Sequence, residues 1–486
     1  MRFPSRFSQF SGVALSALIA VAGPMPAFAQ GGAPAAPEAS TPEASAPSPE
    51  ALRERGEALV YGLGDVAQDL GAGMAALEQA ATAGDARAQA ALGKILLDGY
   101  YLPAEPERAR AYLEQAAGAG NGAAQEALGS ALLWGGALGR DPERARALLE
   151  AAASSGRSSA QALLGEQLLG GWVLPRDVEA GLPLLEQAIG AGDVKARLAL
   201  GAFLLYGIAL PADAPRALAL FEEAAAAGNG TGLAQYGEAL MWKLSDPPAA
   251  EAYLRRAGEM GVGAAWATLA EGAMYGYLGG GAASRAKFDD FAEKARAAGN
   301  ARIAVLEAQR QMWGISMVAS GPQTVAQLTE AAEAGNAEAA KFLIALLRDG
   351  NGLNVMKDAE AAEAALERYR AALSEAEIWQ YGLTIAAKRA RVPARYAALA
   401  EQAAAHPEWM SDWLGQELYK ANPNVAVYLV QQKLRAAGSY RGALDGYVGP
   451  KTVRALKAAC AGFADLPACD DSVLRPEVIG AVLAGG

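Results

Sequence analysis

Apolar residues four apart, broken by glycine and restarted by an acid and a proline, recur through the first half of this chain and predict pairs of short helices. From Ala123 to Trp134, the residues Ala124, Leu128 and Leu132 fall on one helical face with Gly129 beside them. Gly135, Gly136 and Gly139 break that run, and Asp141-Pro142 restarts it as N-cap and first helical position. The second run turns Ala145, Leu149 and Ala152 inward and closes at Gly156, the residue expected of a left-handed C-cap. The unit is a helical hairpin.

The hairpin repeats with a fixed phase. Gly84, Gly120, Gly156, Gly192 and Gly228 stand 36 residues apart, and Leu96, Leu132, Leu168, Leu204 and Leu240 keep the same step. Gly93, Gly129, Gly165, Gly201 and Gly237 form a second glycine ladder inside the first helices, and Gly99, Gly135, Gly171 and Gly207 a third in the loops. Glycine inside a helix costs roughly 1 kcal/mol relative to alanine, so its recurrence predicts helix contacts too close for a side chain. A lone hairpin leaves an apolar face uncovered, and stacking covers it. The expectation is an all-α, right-handed solenoid followed by a small helical module. Later units drift: Gly261, Gly299 and Gly335 continue at altered spacings, Trp313-Gly314 replaces the usual loop, and the match weakens beyond Ala359. Tyr381-Gly382 and the run Ala394 to Ala405 still predict one more irregular pair of helices.

The pattern Ala160-Gln161-Ala162-Leu163-Leu164-Gly165, then Leu168 and Gly171, then Leu184-Leu185-Glu186-Gln187-Ala188 and Ala191-Gly192-Asp193 resembles Sel1-like repeats, relatives of the tetratricopeptide repeat. Tetratricopeptide repeats proper fit less well, because the period is longer and the loops carry glycines. The resemblance implies a surface for protein contacts in envelope assembly and signalling.

A different pattern begins near Val425. Val427, Leu429, Gln431, Leu434, Gly438, Tyr440, Gly442, Asp445-Gly446, Gly449 and Thr452 follow the order of peptidoglycan-binding-like domains, with Leu444 to Thr452 the most telling stretch. Lys457 to Cys460 stand where that family has Phe-Gln. The resemblance offers Tyr440, Arg441, Asp445, Tyr447 and Thr452 as candidates for a stem peptide or glycan. Turn chemistry alone also explains Asp445-Gly446 and Pro450, and tyrosines in so small a module are equally at home in its core.

The amino terminus has Arg2 and Arg6, an apolar stretch from Val13 to Ala22, and Ala27-Phe28-Ala29 before Gln30. That order predicts a secretory signal cleaved after Ala29. The alternative is a retained anchor, against which the apolar run falls short of the ~20 residues that span a bilayer. Export to the periplasm of a Gram-negative bacterium follows, with no membrane span after cleavage. Gly31 to Glu50 lacks large apolar residues and reads as a flexible spacer. The expected organisation is a signal at 1–29, a linker at 30–50, the repeat solenoid at 51–422 and the peptidoglycan-binding-like module at 423–486. Cys460 and Cys469 are the only cysteines, and in an exported chain they predict a disulfide.

Charge narrows the partners. The chain holds 42 Lys or Arg against 53 Asp or Glu, a net charge of −11, whereas from Val425 onward seven basic residues face five acidic ones. The acidity therefore lies in the solenoid, which disfavours nucleic acid and anionic lipid as its partner. The tail's small basic excess suits the carboxylates of peptidoglycan.

Signs of catalysis are sparse. One histidine, His406, leaves no multi-histidine metal site and makes a Ser-His-Asp arrangement improbable. Gly279-Gly280-Gly281 lacks the Lys-Ser/Thr of a phosphate loop, and the neighbouring carboxylates Glu222-Glu223 and Asp289-Asp290 point apart on a helix. A non-enzymatic chain without cofactor or metal is the expectation. Trp134, Tyr206 and Trp242 share one phase, Trp172 and Tyr275 lie near it, and Trp313 extends the series. Such a ladder either seals each hairpin loop against the next or binds a glycan or apolar peptide. The combined reading is a periplasmic adaptor whose solenoid holds a protein partner through Trp134, Trp172, Tyr206 and Trp242 while the tail associates with peptidoglycan. The alternatives are a regulator of a membrane sensor or export system with no wall contact, and an accessory factor to a cell-wall hydrolase.

Overall fold

A computed structural model describes residues 47–463, 466 and 468–484, and its contacts divide them into two units on either side of residue 272. The expected signal and most of the linker lie outside the described residues. The described residues form helices and turns, without strands.

In the unit before residue 273, hairpins follow one another with little variation. Pro49–Tyr61 pairs with Leu70–Thr82, Ala86–Asp98 with Pro106–Gly118, Gly122–Trp134 with Pro142–Ser154, and Ser158–Gly170 with Val178–Gly190. Val194–Tyr206 with Ala214–Ala226 and Thr231–Trp242 with Pro247–Glu259 continue the series. Aspartate or asparagine starts most of these helices for one physical reason: its side chain accepts a hydrogen bond from an amide of the first turn that has no helical partner. Asp85, Asn121 and Asp193 do this for first helices, and Asp141, Asp177 and Asp213 for second helices. The other end of each second helix closes on a left-handed glycine, as at Gly156 with φ of 85°, where a side chain would be strained.

The interior follows the phase of the sequence. Ala124, Leu128, Ala145, Leu149 and Ala152 are fully buried, and Leu113, Leu128, Leu149 and Leu164 from successive hairpins join one core. The ladder of helical glycines sits where paired helices touch. A β-carbon at Gly165 would lie 2.9 Å from both the Gly181 carbonyl oxygen and Leu185 Cγ. That is closer than packed atoms come, so the backbone contact itself requires the glycine.

Successive hairpins are joined by another repeated bond. Gln89 Nε2 donates to the Ala81 carbonyl at 3.1 Å, Gln125 to Ala117 at 3.3 Å, Gln161 to Ala153 at 3.2 Å, and Arg197 Nη2 to Ile189 at 3.4 Å. Each is a second bond to a last-turn carbonyl of the preceding second helix, which also accepts from the amide of the closing glycine, as Ala81 does from Gly84 at 3.0 Å.

After residue 273 the hairpins become irregular. Arg302–Trp313 pairs with Gly321–Glu333 and Ala337–Asp349 with Ala359–Arg368, followed by Glu375–Arg389 and Pro393–Ala405. The expected irregular last pair is thus present. Arg348 is wholly buried here, with Nη2 on Asp349 at 2.6 Å and on Glu417 at 2.5 Å, and Nη1 on Thr384 at 2.7 Å. Burial pushes the Asp349 carboxyl upward, but Arg348 and Lys388 outweigh it and hold the group below its usual range.

The last helices are Asp412–Ala421, Pro423–Ala436, Pro450–Cys460, Ala468–Asp471 and Pro476–Ala484. Leu414 and Leu418 share a core with Val425, Leu429, Val430, Val478, Ile479 and Leu483. Gly415 packs so near Gly480 that an added β-carbon would meet its Cα at 2.7 Å. The segment from 423 therefore completes its core with residues that begin as early as Leu383. Cys460 and Cys469 are joined in a disulfide across a nine-residue separation.

Candidate functional site

The first helix of each early hairpin ends beside the loop, and aromatic residues collect at these ends. Trp134, Tyr206 and Trp242 are the last residues of their helices, and Trp172 follows the left-handed Gly171. Trp134 is 51% exposed and Trp172 50%, while Tyr206 and Trp242 are partly buried. Trp172 stacks on Phe203 of the next hairpin, with centroids 5.8 Å apart at 18°. Lys243 stands 5.3 Å over the Tyr206 ring, and burial, helped by Glu238, pushes the Tyr206 hydroxyl up to about 12. Trp172 thus packs on the next hairpin while half of it stays exposed, and Tyr206 is covered on one side by Lys243.

Two aromatics absent from the expected set belong here. Tyr61 ends the first helix, 42% exposed, and Tyr100 lies in the following loop, 73% exposed. Tyr101 bridges them, with ring centroids 5.8 Å from Tyr61 and 4.9 Å from Tyr100. The sequence did carry the signal: Tyr100 precedes Trp172 by two periods of 36 residues. In the second unit, Tyr275 and Trp313 are 44% and 39% exposed at equivalent helix ends.

A match to known proteins now gives this architecture its context. The family model described as Sel1 repeat matches residues 49–85, 86–121, 122–156, 158–193, 194–229 and 232–262. Residues 49 to 262 thus match Sel1 repeats over nearly their whole length. The array is similar in structure to a protective antigen of uropathogenic Escherichia coli displaying an SLR fold. That match has 19% identity and a TM-score of 0.42 and covers 82% of this chain and 88% of the other. It is also similar to a Sel1 repeat protein from Oxalobacter formigenes, at 24% identity and a TM-score of 0.41, covering 61% of this chain and 85% of that one. None of the curated proteins compared matches the chain. Repeats of this family are typically scaffolds for protein interaction.

The five tail candidates separate into two groups. Tyr440 is 5% exposed and its hydroxyl donates to the Ala443 carbonyl at 2.7 Å, so it belongs to the interior. Thr452 is likewise buried. Thr452 attaches to a turn organised by Gln431, a wholly buried residue not among the expected site residues. Its Nε2 donates to Asp445 Oδ1 at 3.0 Å and the Tyr447 carbonyl at 2.9 Å, and reaches Thr452 Oγ1 at 3.3 Å. Its Oε1 accepts from the amides of Asp445 at 3.1 Å and Gly446 at 2.9 Å. The Tyr447 amide and Gln431 together hold the Asp445 carboxyl below the usual range. Arg441, Tyr447 and Val448 remain on the surface.

The candidate carboxylate pairs do point apart. Glu222 pairs with Arg256 and Glu223 with Arg197, and Asp289 pairs with Arg310 while Asp290 pairs with Lys294. His406 closes helix Pro393–Ala405, contacts Glu408 at 3.0 Å and stacks on Trp409 with centroids 4.1 Å apart. Among the described residues no three His, Cys, Asp or Glu side chains are grouped to hold a metal ion, and no helix is long and apolar enough to cross a membrane.

Proposed function

We propose that this protein is a periplasmic, non-catalytic adaptor whose Sel1 array holds a protein partner along its loop-side aromatic edge. The carrying observation is the half-exposed pair Trp134 and Trp172, with Tyr61 and Tyr100 extending the row toward the amino terminus. Large rings held partly in place by their own array lose little freedom on binding, which makes them effective anchors. The acidity of the chain favours a partner with a basic face. The signal-like leader and the Cys460–Cys469 disulfide support export.

In the same proposal the C-terminal segment rests against peptidoglycan through its surface residues Arg441 and Tyr447. The second reading is a regulator of a membrane sensor or export system, or an accessory factor to a wall hydrolase, with no wall contact of its own. Burial of Tyr440 and Thr452 favours that reading, because it leaves fewer exposed groups for a glycan.

A photo-crosslinking residue placed at Trp134 or Trp172 in living cells tests the scaffold. A discrete protein adduct should form from those positions and not from Glu143, which lies at the start of a second helix; equal adducts from all three would refute an aromatic edge. Co-sedimentation of the full chain with purified sacculi, lost in an Arg441→Glu/Tyr447→Ala variant, tests wall association separately.

A further inference from the structure

The second helices of the array are stitched by a ladder of ion pairs. Arg108 pairs with Glu78 at 2.7 Å, Arg144 with Glu114 at 2.8 Å, and Arg216 with Glu186 at 3.2 Å. In each rung an arginine near the start of one second helix reaches a glutamate near the end of the preceding one, 30 residues earlier. The next rung keeps the chemistry from one turn further on, with Arg256 on Glu222 at 2.8 Å. One rung is missing. Glu150 occupies the glutamate position, but residue 180, where the arginine should stand, is alanine.

The missing side chain leaves a recess. A groove of about 310 Å³ opens between helices Pro142–Ser154 and Val178–Gly190, walled by Glu150 and Ala180 and floored by Leu164, Leu168 and Leu184. Glu150 is half-exposed and turns back to Arg146 of its own helix at 2.7 Å. An exposed pair of that kind, four residues apart on one helix, is weak, so a better-placed cation displaces it at little cost. Arg146 also lines the recess, and once it swings out the recess combines a carboxylate at its rim with an aliphatic floor, matching the two ends of an arginine side chain.

We propose that this gap is a docking slot for an arginine side chain presented by a protein partner. The guanidinium completes the rung on Glu150, and the methylene stem lies over Leu164, Leu168 and Leu184. The neighbouring rungs show the geometry it would adopt, since arginines of this same chain fill the equivalent places at three junctions. The proposal rests on the scaffold reading and adds a second, chemically distinct contact point on the second-helix side of the array.

Methyl NMR of the full chain titrated with N-acetyl-arginine methylamide tests the slot, with the citrulline analogue as its neutral match in shape. Saturable shifts at Leu164, Leu168 and Leu184 are expected with the arginine compound and not with citrulline. Glu150→Gln should weaken binding at least threefold, and Ala180→Arg, which supplies the rung internally, should abolish it. The proposal is overturned if arginine and citrulline bind alike, if Ala180→Arg leaves binding intact, or if neither compound shifts these methyls. Concentration-dependent self-association lost in Ala180→Arg would assign the slot to a second copy of the chain and equally overturn it. Adducts from Trp134 and Trp172 would persist in Ala180→Arg, so failure of the slot is distinguishable from failure of the scaffold.

Discussion

Helix Gly122–Trp134 of the Sel1 array buries its apolar face against hairpins one period away, through positions that recur with the sequence. Helix Asp412–Ala421 of the C-terminal segment instead meets Pro476–Ala484, beyond three intervening helices and a disulfide, through a glycine pair that appears once. The array repeats one local solution, so each interface is supported by its neighbours and a fault is shared among them. The C-terminal region depends on unrepeated contacts between distant parts of the chain. Its stability should therefore be concentrated in a few residues, whereas the array's should be spread along its length.

The largest expected effect separates these two cases. Arg348→Met leaves the Glu417 carboxylate, which is only 9% exposed, with Lys420 at 2.9 Å as its remaining cation, and losing one partner of a buried pair costs up to about 3–5 kcal/mol. Hydrogen exchange should accelerate from Ala337 through Ala436 while amides of the Sel1 array keep their protection; uniform acceleration of both would break the comparison. Gly165→Ala should cost about 1–3 kcal/mol by overpacking, with faster exchange limited to hairpin 158–190 and its immediate neighbours. A global transition in denaturant shared by all hairpins would contradict this local character.

A smaller effect is set by pH. Burial pushes the Glu166 carboxyl up to about 7, against an opposing pull from Lys195. The unfolded chain releases this proton at a lower pH than the folded one, so its contribution is full below about 4.5 and is lost as pH rises through about 7. Glu166→Gln should remove that slope and raise array stability by about 1–2 kcal/mol at pH 8, allowing for solvent screening. Urea midpoints at pH 5 and pH 8 check it, and an unchanged slope would show that the carboxyl ionises without penalty.

The contrast also explains what could be read before the structure was known. The phase of Leu128 and Leu132, the in-helix role of Gly129 and the cap at Asp141 were legible because each recurs and each has a local cause. Gln89, Gln125 and Gln161 recur just as strictly, but a polar residue on a helix gives no sign of which carbonyl it will meet. Tyr100 was not legible because its equivalent one period on is Gly136, and the next aromatic in that phase, Trp172, lies two periods away. In the tail, motif resemblance marked the turn at Asp445-Gly446 but could not separate inside from outside: Tyr440 and Thr452 proved internal, and Gln431 proved the residue on which the turn depends. The missing arginine at position 180 becomes visible only once the intact rungs are known to be ion pairs.

The central claim is that ladder residues build the array while the exposed aromatics between them recognise a partner. Its most direct test compares a Trp134→Ala/Trp172→Ala variant with the parent chain, measuring thermal stability and the yield of the protein adduct formed by a crosslinker at Tyr100. The account predicts at least a tenfold fall in adduct with a melting temperature within about 3 °C of the parent, as surface truncations usually allow. A full adduct yield from a stably folded variant would contradict it.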